Sequence, residues 1–213
     1  MTSGSSMSDT TVIIKTIGRK TLKNAIASAK REGFKPIVIS DGVKCHVSGA
    51  QHVTLGKRWG YYGGMAANVG AALAPTEFVT FLDDDDEFIP GAGAVIRAKL
   101  KEKPEVDVWI GGVRFEQEIN VQNTSTGETL RTSRDLATNG DLGIMPGNVA
   151  MPTYRTSVFS KIPFSDTVPP DKANLTDFLH IQMASMSGYS IDWFGDVIYL
   201  VRPVVGGING GGK

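Results

Sequence analysis

A single cysteine, Cys45, in 213 residues leaves no internal disulfide framework and no multi-cysteine zinc or iron–sulfur site. That scarcity fits a reducing compartment, so a cytoplasmic location is the expectation. Net charge is also missing, because 22 Lys and Arg balance 22 Asp and Glu. A chain without a basic excess lacks the field that dominates non-specific nucleic-acid binding, although a local basic patch escapes this test. No apolar run is long enough to span a bilayer, and the polar start MTSGSSMSDTT has neither the basic nor the apolar region of a signal peptide. A soluble protein with no integral membrane segment is expected. The only histidines, His46, His52 and His180, are scattered without metal-ligand spacing and read as surface or satisfied-core residues. Internal repeats and heptads are absent as well.

What is present is an ordinary globular composition, 41% hydrophobic, enough for one sizeable core. Residues 1–10 read as a disordered tail, 11–203 as a single domain and 204–213 as a flexible glycine-rich tail. Val12-Ile13-Ile14 is a continuous β-branched run suited to a strand buried on both faces. Leu22, Ile26 and Ala29 follow at helical spacing, with Gly33 at the C-terminal cap position. Pro36 to Ser40 reads as a second strand ending in the turn signal Asp41-Gly42. The small-residue segment GYYGGMAANVGAALA predicts a helix lying close on the sheet. Phe78 to Leu82 is an apolar strand, and Pro90 opens a helix carrying Val95, Ile96 and Leu100.

Another strand is expected at Val106 to Ile110, and a polar hairpin or lid insertion from Glu116 to Leu142. A short helix over 156–162, a loop containing Pro169-Pro170, a helix through Leu179 and Met183 stopped at Gly188, and a last strand from Val197 to Val201 complete the pattern. Strands alternating with helices predict an α/β fold, a Rossmann-like, mostly parallel sheet flanked by helices.

The chemistry concentrates at Asp83-Asp84-Asp85-Asp86-Glu87. A solvated charge run is the bland explanation, but this one begins where an apolar strand stops and is followed at once by Phe88-Ile89-Pro90. Strand alternation would turn Asp83 and Asp85 one way and Asp84 the other. Two carboxylates on one side repel unless a cation relieves them, and hard oxygen ligands suit Mg2+ or Mn2+. An EF-hand calcium loop fails, with Phe88 at the tight-turn glycine position and Ala94 at the bidentate glutamate position.

These segments resemble the inverting, GT-A-fold glycosyltransferases of family 2, from about Val12 to Val201. VIIKTIGRKTLKNAIASA is similar to the family's opening strand, loop and helix, IVISDG to its second strand, and GGMAANVGAALAPTEFVTFLDDDDEFIPGA to its Asn-x-Gly segment and DXD motif. TDFLHIQMASMSGYSI resembles the segment carrying the catalytic base. The resemblance implies a GT-A fold, a nucleotide-diphosphate sugar donor, most often a UDP-sugar, and a Mn2+ or Mg2+ cofactor. It implies Asp85 and Asp83 as metal ligands, with Asp83 nearer the donor ribose, and Asp177 as general base. Thr16, Arg19, Asp41, Asn68 and Asp84 are implied on the donor side, Asp41 at the nucleotide base. Thr176 stands where Glu is usual, Ala67 where Arg is common, Lys15 where Pro is common, and no histidine follows His180.

Without the resemblance, spacing favours a helix cap for Asp177 over a base, and Asp41 reads as an ordinary turn. Lys57, Arg58, Trp59, Tyr61 and Tyr62 combine charge with aromatics that suit a sugar, a base or a phosphate, or a partly buried loop. Cys45 has no nucleophile motif around it. Two other classes compete with a transferase: a nucleotide-sugar binding module without turnover, and a sugar-phosphate nucleotidyltransferase, whose glycine-rich loop is not matched by Thr16-Ile17-Gly18-Arg19. The hydroxyl acceptor is left open among a glycan, a protein and a modified DNA base.

Overall fold

The computed structural model describes residues 10–60, 63–122, 129–136, 151–165 and 176–202. Among them the order is β1 (Thr10–Thr16), α1 (Leu22–Arg31), β2 (Lys35–Ser40), β3 (Gln51–Thr54), α2 (Gly64–Leu73), β4 (Phe78–Asp83), β5 (Glu87–Phe88) and α3 (Ala92–Glu102). Then come β6 (Val108–Gln122), β7 (Thr129–Leu136), β8 (Met151–Arg155), α4 (Thr156–Lys161), α5 (Thr176–Met186) and β9 (Ile191–Val201). Most of both tails, the hairpin tip, the Pro169-Pro170 loop and Tyr61-Tyr62 lie outside the described residues.

One sheet runs β3-β2-β1-β4-β8-β6-β9-β5, with β7 paired to β6. The parallel expectation holds for β3, β2, β1 and β4. Beyond them the sheet is mixed: β8 is antiparallel to both β4 and β6, β9 is parallel to β6, and β5 is antiparallel to β9. Three strands were not expected from the sequence. β3 lacks a continuous apolar run, β5 is two residues long, and β8 carries Pro152, which argues against a central strand. β9 also starts at Ile191, six residues before Val197, because Asp192, Gly195 and Asp196 interrupt its apolar pattern. The polar hairpin is present as β6 paired antiparallel with β7.

Apolar alternation on β1 supplies both faces of the sheet. Val12 and Ile14 pack with Leu22, Ile26 and Ile96 under α1 and α3, where Trp109 stacks on Phe194 at 5.2 Å. Ile13 packs with Ile37, Ile39, Phe81, Tyr154 and Phe159 under α2, α4 and α5. The small residues of α2 allow a close approach, since a Cβ at Gly70 would stand 2.4 Å from Ile13 Cγ2. No helix among the described residues is long and apolar enough to cross a membrane.

From β1 the chain lays β2 and β3 on one side and β4 on the other. Strand order reverses there, so the carboxyl ends of β1 and β4 open the crevice in which ligands of open α/β sheets bind. The ladder pairs Lys15 directly with Asp83 at that rim.

Candidate active site

Extended geometry ends at Asp83, and a turn closed by the Asp86 N–H donating to the Asp83 carbonyl (3.1 Å) replaces strand alternation. The turn still separates the acids. Asp83, Asp85 and Asp86 bring carboxylate oxygens within 4.8 Å of one another, whereas Asp84 points inward and is 1% exposed. Asp86 was not singled out by sequence, and no alternation rule selects it, because the turn rather than a strand sets its direction.

Asp84, expected among the donor-binding residues, is saturated by the protein itself. Its Oδ2 accepts from the Thr16 hydroxyl (2.5 Å) and the N–H groups of Ile17 and Arg19, and its Oδ1 takes the Arg19 guanidinium at 2.5 Å. Asp84 therefore shapes the β1–α1 loop, and Thr16 and Arg19 meet it before any ligand. A buried carboxylate requires such donors, which is why it cannot also present open oxygens. Arg19 reaches onward to Asp85 at 3.7 Å.

The other acids have no such supply. Burial, then Asp83, pushes the Asp85 carboxyl upward against the opposing pull of Arg19. Asp86 goes further up for the same reasons, accepting one hydrogen bond from the Arg202 N–H. The crowded carboxylates of Asp83, Asp85 and Asp86 form a hard-oxygen set that fits a divalent cation, whose charge would offset the repulsion that adds to burial in raising Asp85 and Asp86.

Asp177 lies in the first turn of α5 and belongs to the same field. Burial pushes its carboxyl up to about 6, with Lys15 opposing and Asp83 reinforcing the shift. Lys15 pairs with Asp83 at 2.9 Å and feels Asp177 and Asp86 as well. Asp83 and Asp85 thus share one carboxylate cluster, and Asp177 lies within the electrostatic reach of Asp83 and Lys15.

Three residues later in α5, His180 is 2% exposed and fully bonded: its Nε2–H donates to the Ile162 carbonyl, and its Nδ1 accepts from the Tyr154 hydroxyl at 2.7 Å. Burial lowers it to about 4, so it is a satisfied-core histidine that anchors the helix bearing Asp177. Asn68, expected on the donor side, is committed to an anchor of the same kind. Its amide donates to the Phe164 carbonyl and accepts from the Phe164 N–H, both at 2.9 Å.

Asp41, expected at the nucleotide base, is 3% exposed and accepts from the N–H groups of Trp59 (2.8 Å) and Gly60 (2.9 Å). It thereby holds the loop in which Lys57 lies 4.0 Å over the exposed Trp59 ring. Nearby, a cavity of about 490 Å3 opens beside α1, with Arg19, Lys20, Lys23, Lys44 and His46 in its lining. Cys45 meets Ser40 and His52 rather than its sequence neighbour His46, a pairing made by β3 lying against β2.

No family model and no curated protein matches the sequence. Solved structures do match. S. aureus TarS, residues 1–349, superposes with a TM-score of 0.67 at 19% identity, over 92% of this chain and 60% of that one. The same protein in complex with UDP-GlcNAc gives 0.68 at 17% identity over 94% and 60%, and in complex with UDP 0.65 at 15% over 92% and 61%. This chain spans about 60% of that neighbour's length. At such identity the likeness speaks for the fold alone, an α/β sheet flanked by helices of the kind the sequence led us to expect.

Proposed function

We propose that the chain is a metal-dependent glycosyltransferase that moves a sugar from a nucleotide-diphosphate sugar, a UDP-sugar by preference, to a hydroxyl acceptor with inversion. The observation that carries this reading is the cluster of Asp83, Asp85 and Asp86 at the strand-order switch, with Asp177, raised to about 6 by burial, electrostatically coupled to Asp83. The neighbours crystallised with UDP and UDP-GlcNAc support the choice of donor.

Asp83 and Asp85, joined by Asp86, would hold Mn2+ or Mg2+, which when bound offsets charge gathering on a departing diphosphate. Asp177 accepts the proton of the acceptor hydroxyl as the acceptor oxygen bonds to the anomeric carbon. The bond from that carbon to the diphosphate oxygen breaks, and its electron pair leaves with the nucleotide. Because attack and departure occupy opposite sides of the carbon, the configuration inverts. A base raised to about 6 is mostly ionised at neutral pH yet retains useful basicity. Arg19, fixed by Asp84, adds positive charge on the donor side, and the Trp59 loop held by Asp41 supplies a wall for the nucleoside.

The test is a thermal-shift panel of nucleotide sugars with and without Mn2+, followed by donor turnover in the wild type and Asp177→Asn. A Mn2+-dependent shift selective for uridine donors, with hydrolysis abolished in the variant, is the expected result. Binding with no turnover would identify a nucleotide-sugar binding module instead, and no shift with any nucleotide would sink both readings.

A further inference from the structure

The cavity beside α1 takes no part in the reaction proposed above, and none of Asp41, Trp59, Asp83, Asp85 and Asp177 lines it. One wall is the start of α1, and the other is the segment 44–48 that follows β2. Alternation along that segment turns Cys45 and Val47 onto the core that holds Leu22 and Ile26, and leaves Lys44, His46 and Ser48 exposed. Packing fixes the two walls against each other. Val43 stands 3.5 Å from the place a Cβ on Gly18 would take, and the Lys30 ammonium 2.8 Å from the place of one on Gly49. Behind the second wall, a Cβ on Gly42, whose φ is 69°, would stand 2.2 Å from the Arg58 nitrogen, so the 57–58 backbone lies directly on it.

The lining of this preformed cavity has two characters. Buried Leu22 and Ile26, with Cys45, give it an apolar floor, whereas its rim carries Lys20, Lys23, Lys44 and His46. Among the described residues no Asp or Glu lines it. Arg19, at its edge, already has Asp84 at 2.5 Å, but Lys20, Lys23 and Lys44 form no ion pair with any described residue. The first turn of α1 contains no acid to offset them. In a chain whose charges otherwise balance, three unanswered ammonium groups around an apolar floor attract a molecule that is anionic at one end and apolar at the other. A phosphate suits this rim, because its dianion meets several ammonium groups at once and lysines bind it as point charges. The volume of about 490 Å3 fits a small ligand, whereas a nucleic-acid strand is held in a groove that tracks its backbone.

We propose that this cavity is a second binding site, separate from the donor site, for a small phosphomonoester with an apolar body. Lys20, Lys23 and Lys44 hold the phosphate, and the body lies on Leu22 and Ile26. Binding here needs neither a metal ion nor sugar transfer, so the site stands apart from the glycosyltransferase reading.

Phenyl phosphate is the probe, titrated calorimetrically into the full chain in the presence of EDTA, with phenol and inorganic phosphate as its two halves. It is expected to bind on the order of tenfold more tightly than either half, since rim and floor each contribute. Lys23→Glu combined with Lys44→Glu, both at exposed positions, should weaken it about tenfold and leave the Kd of UDP with Mn2+ within about threefold of wild type. Cys45, the sole cysteine, reports the location: its alkylation by iodoacetamide should slow about tenfold at a tenfold excess of phenyl phosphate over Kd. The variant comparison decides by itself should Cys45 prove unreactive. No binding of phenyl phosphate overturns the proposal. So does equal affinity in wild type and the double variant, which would seat the phosphate elsewhere, or equal affinity for phenol, which would reduce the cavity to an apolar hollow. Tighter binding of a single-stranded oligonucleotide, lost in the same variant, would make the patch a nucleic-acid surface and overturn it too. Loss of UDP binding together with phenyl phosphate would merge the cavity with the donor site and end the proposal. A chain that binds phenyl phosphate but no nucleotide sugar supports it and removes the transferase reading instead.

Discussion

Asp84 takes four protein donors on its two oxygens at 1% exposure, whereas Asp83, Asp85 and Asp86, the same residue type in the same turn, crowd their oxygens within 4.8 Å of one another. The β1–α1 loop neutralises one acid with N–H groups, a hydroxyl and a guanidinium. The crevice leaves the others to raise Asp85 and Asp86 by repulsion and burial. A carboxylate run therefore divides by what the tertiary structure supplies to each member: a saturated acid builds a loop, and under-supplied acids create a field in which a cation and a base can work.

Four experiments would break or sharpen that contrast. The largest effect is expected at Asp177. Asp177→Asn should lower turnover about 1,000-fold, roughly 4 kcal/mol of barrier, with UDP binding retained. Steady-state kinetics alongside nucleotide titration checks this, and an unchanged rate would mean that α5 carries no base.

Next comes the saturated acid. Asp84→Ala strips Arg19 and the loop N–H groups of their acceptor and should cost about 3 kcal/mol of stability in urea unfolding. A variant as stable as the wild type would put Asp84 on the same footing as its neighbours. Asp85→Asn is the counterpart. It should unfold at the same urea concentration as the wild type or a higher one, because a repelling charge is gone. It should also lose the stabilisation by Mn2+, about 2.7 kcal/mol at a hundredfold excess over Kd. Equal Mn2+ stabilisation in variant and wild type would take the cation away from Asp85.

The smallest effect is a pH dependence in which two groups of one helix oppose each other. Asp177, raised from 3.8 to about 6, favours the folded state most below pH 3.8, and that contribution is lost as pH rises through about 6. His180, lowered from 6.5 to about 4, contributes above pH 6.5 and loses its contribution as pH falls through about 4. Between those limits the slopes have opposite sign, with Asp85 and Asp86 siding with Asp177. Removing the Asp177 charge should make Asp177→Asn less stable at pH 4, relative to wild type, than at pH 7, by about 2 kcal/mol. Melting curves at the two pH values measure the difference, and a pH-independent gap would show that burial does not perturb Asp177. In the wild type, turnover should rise with pH through about 6 as the base ionises.

Much of the fold was legible because it is written in local periodicity. The β-branched run of β1, the apolar stripe of α1 and the apolar strand before the acids are patterns of adjacent residues, and each forms as expected. β8 was not legible, since Pro152 contradicts its central place and only its pairing between β4 and β6 makes it a strand. Among the site residues, Asp83 and Asp85 share one cluster and Asp177 feels Asp83, while Asn68 and Asp41 bond to backbone groups of segments that no spacing rule connects to them. Asp86 went unselected because a turn, not a strand, sets its direction.

By itself the sequence determined that a strand would end in carboxylates beside a helix of small residues, because side-chain alternation and backbone preference act over a few neighbouring positions. Only the tertiary structure decided which carboxylate is saturated by protein donors and which crowd together with fewer. It also decided that Asp177 should enter the field of Asp83 and Lys15. Burial and Coulomb interaction act through space, and the folded sheet determines which residues come near enough to feel them.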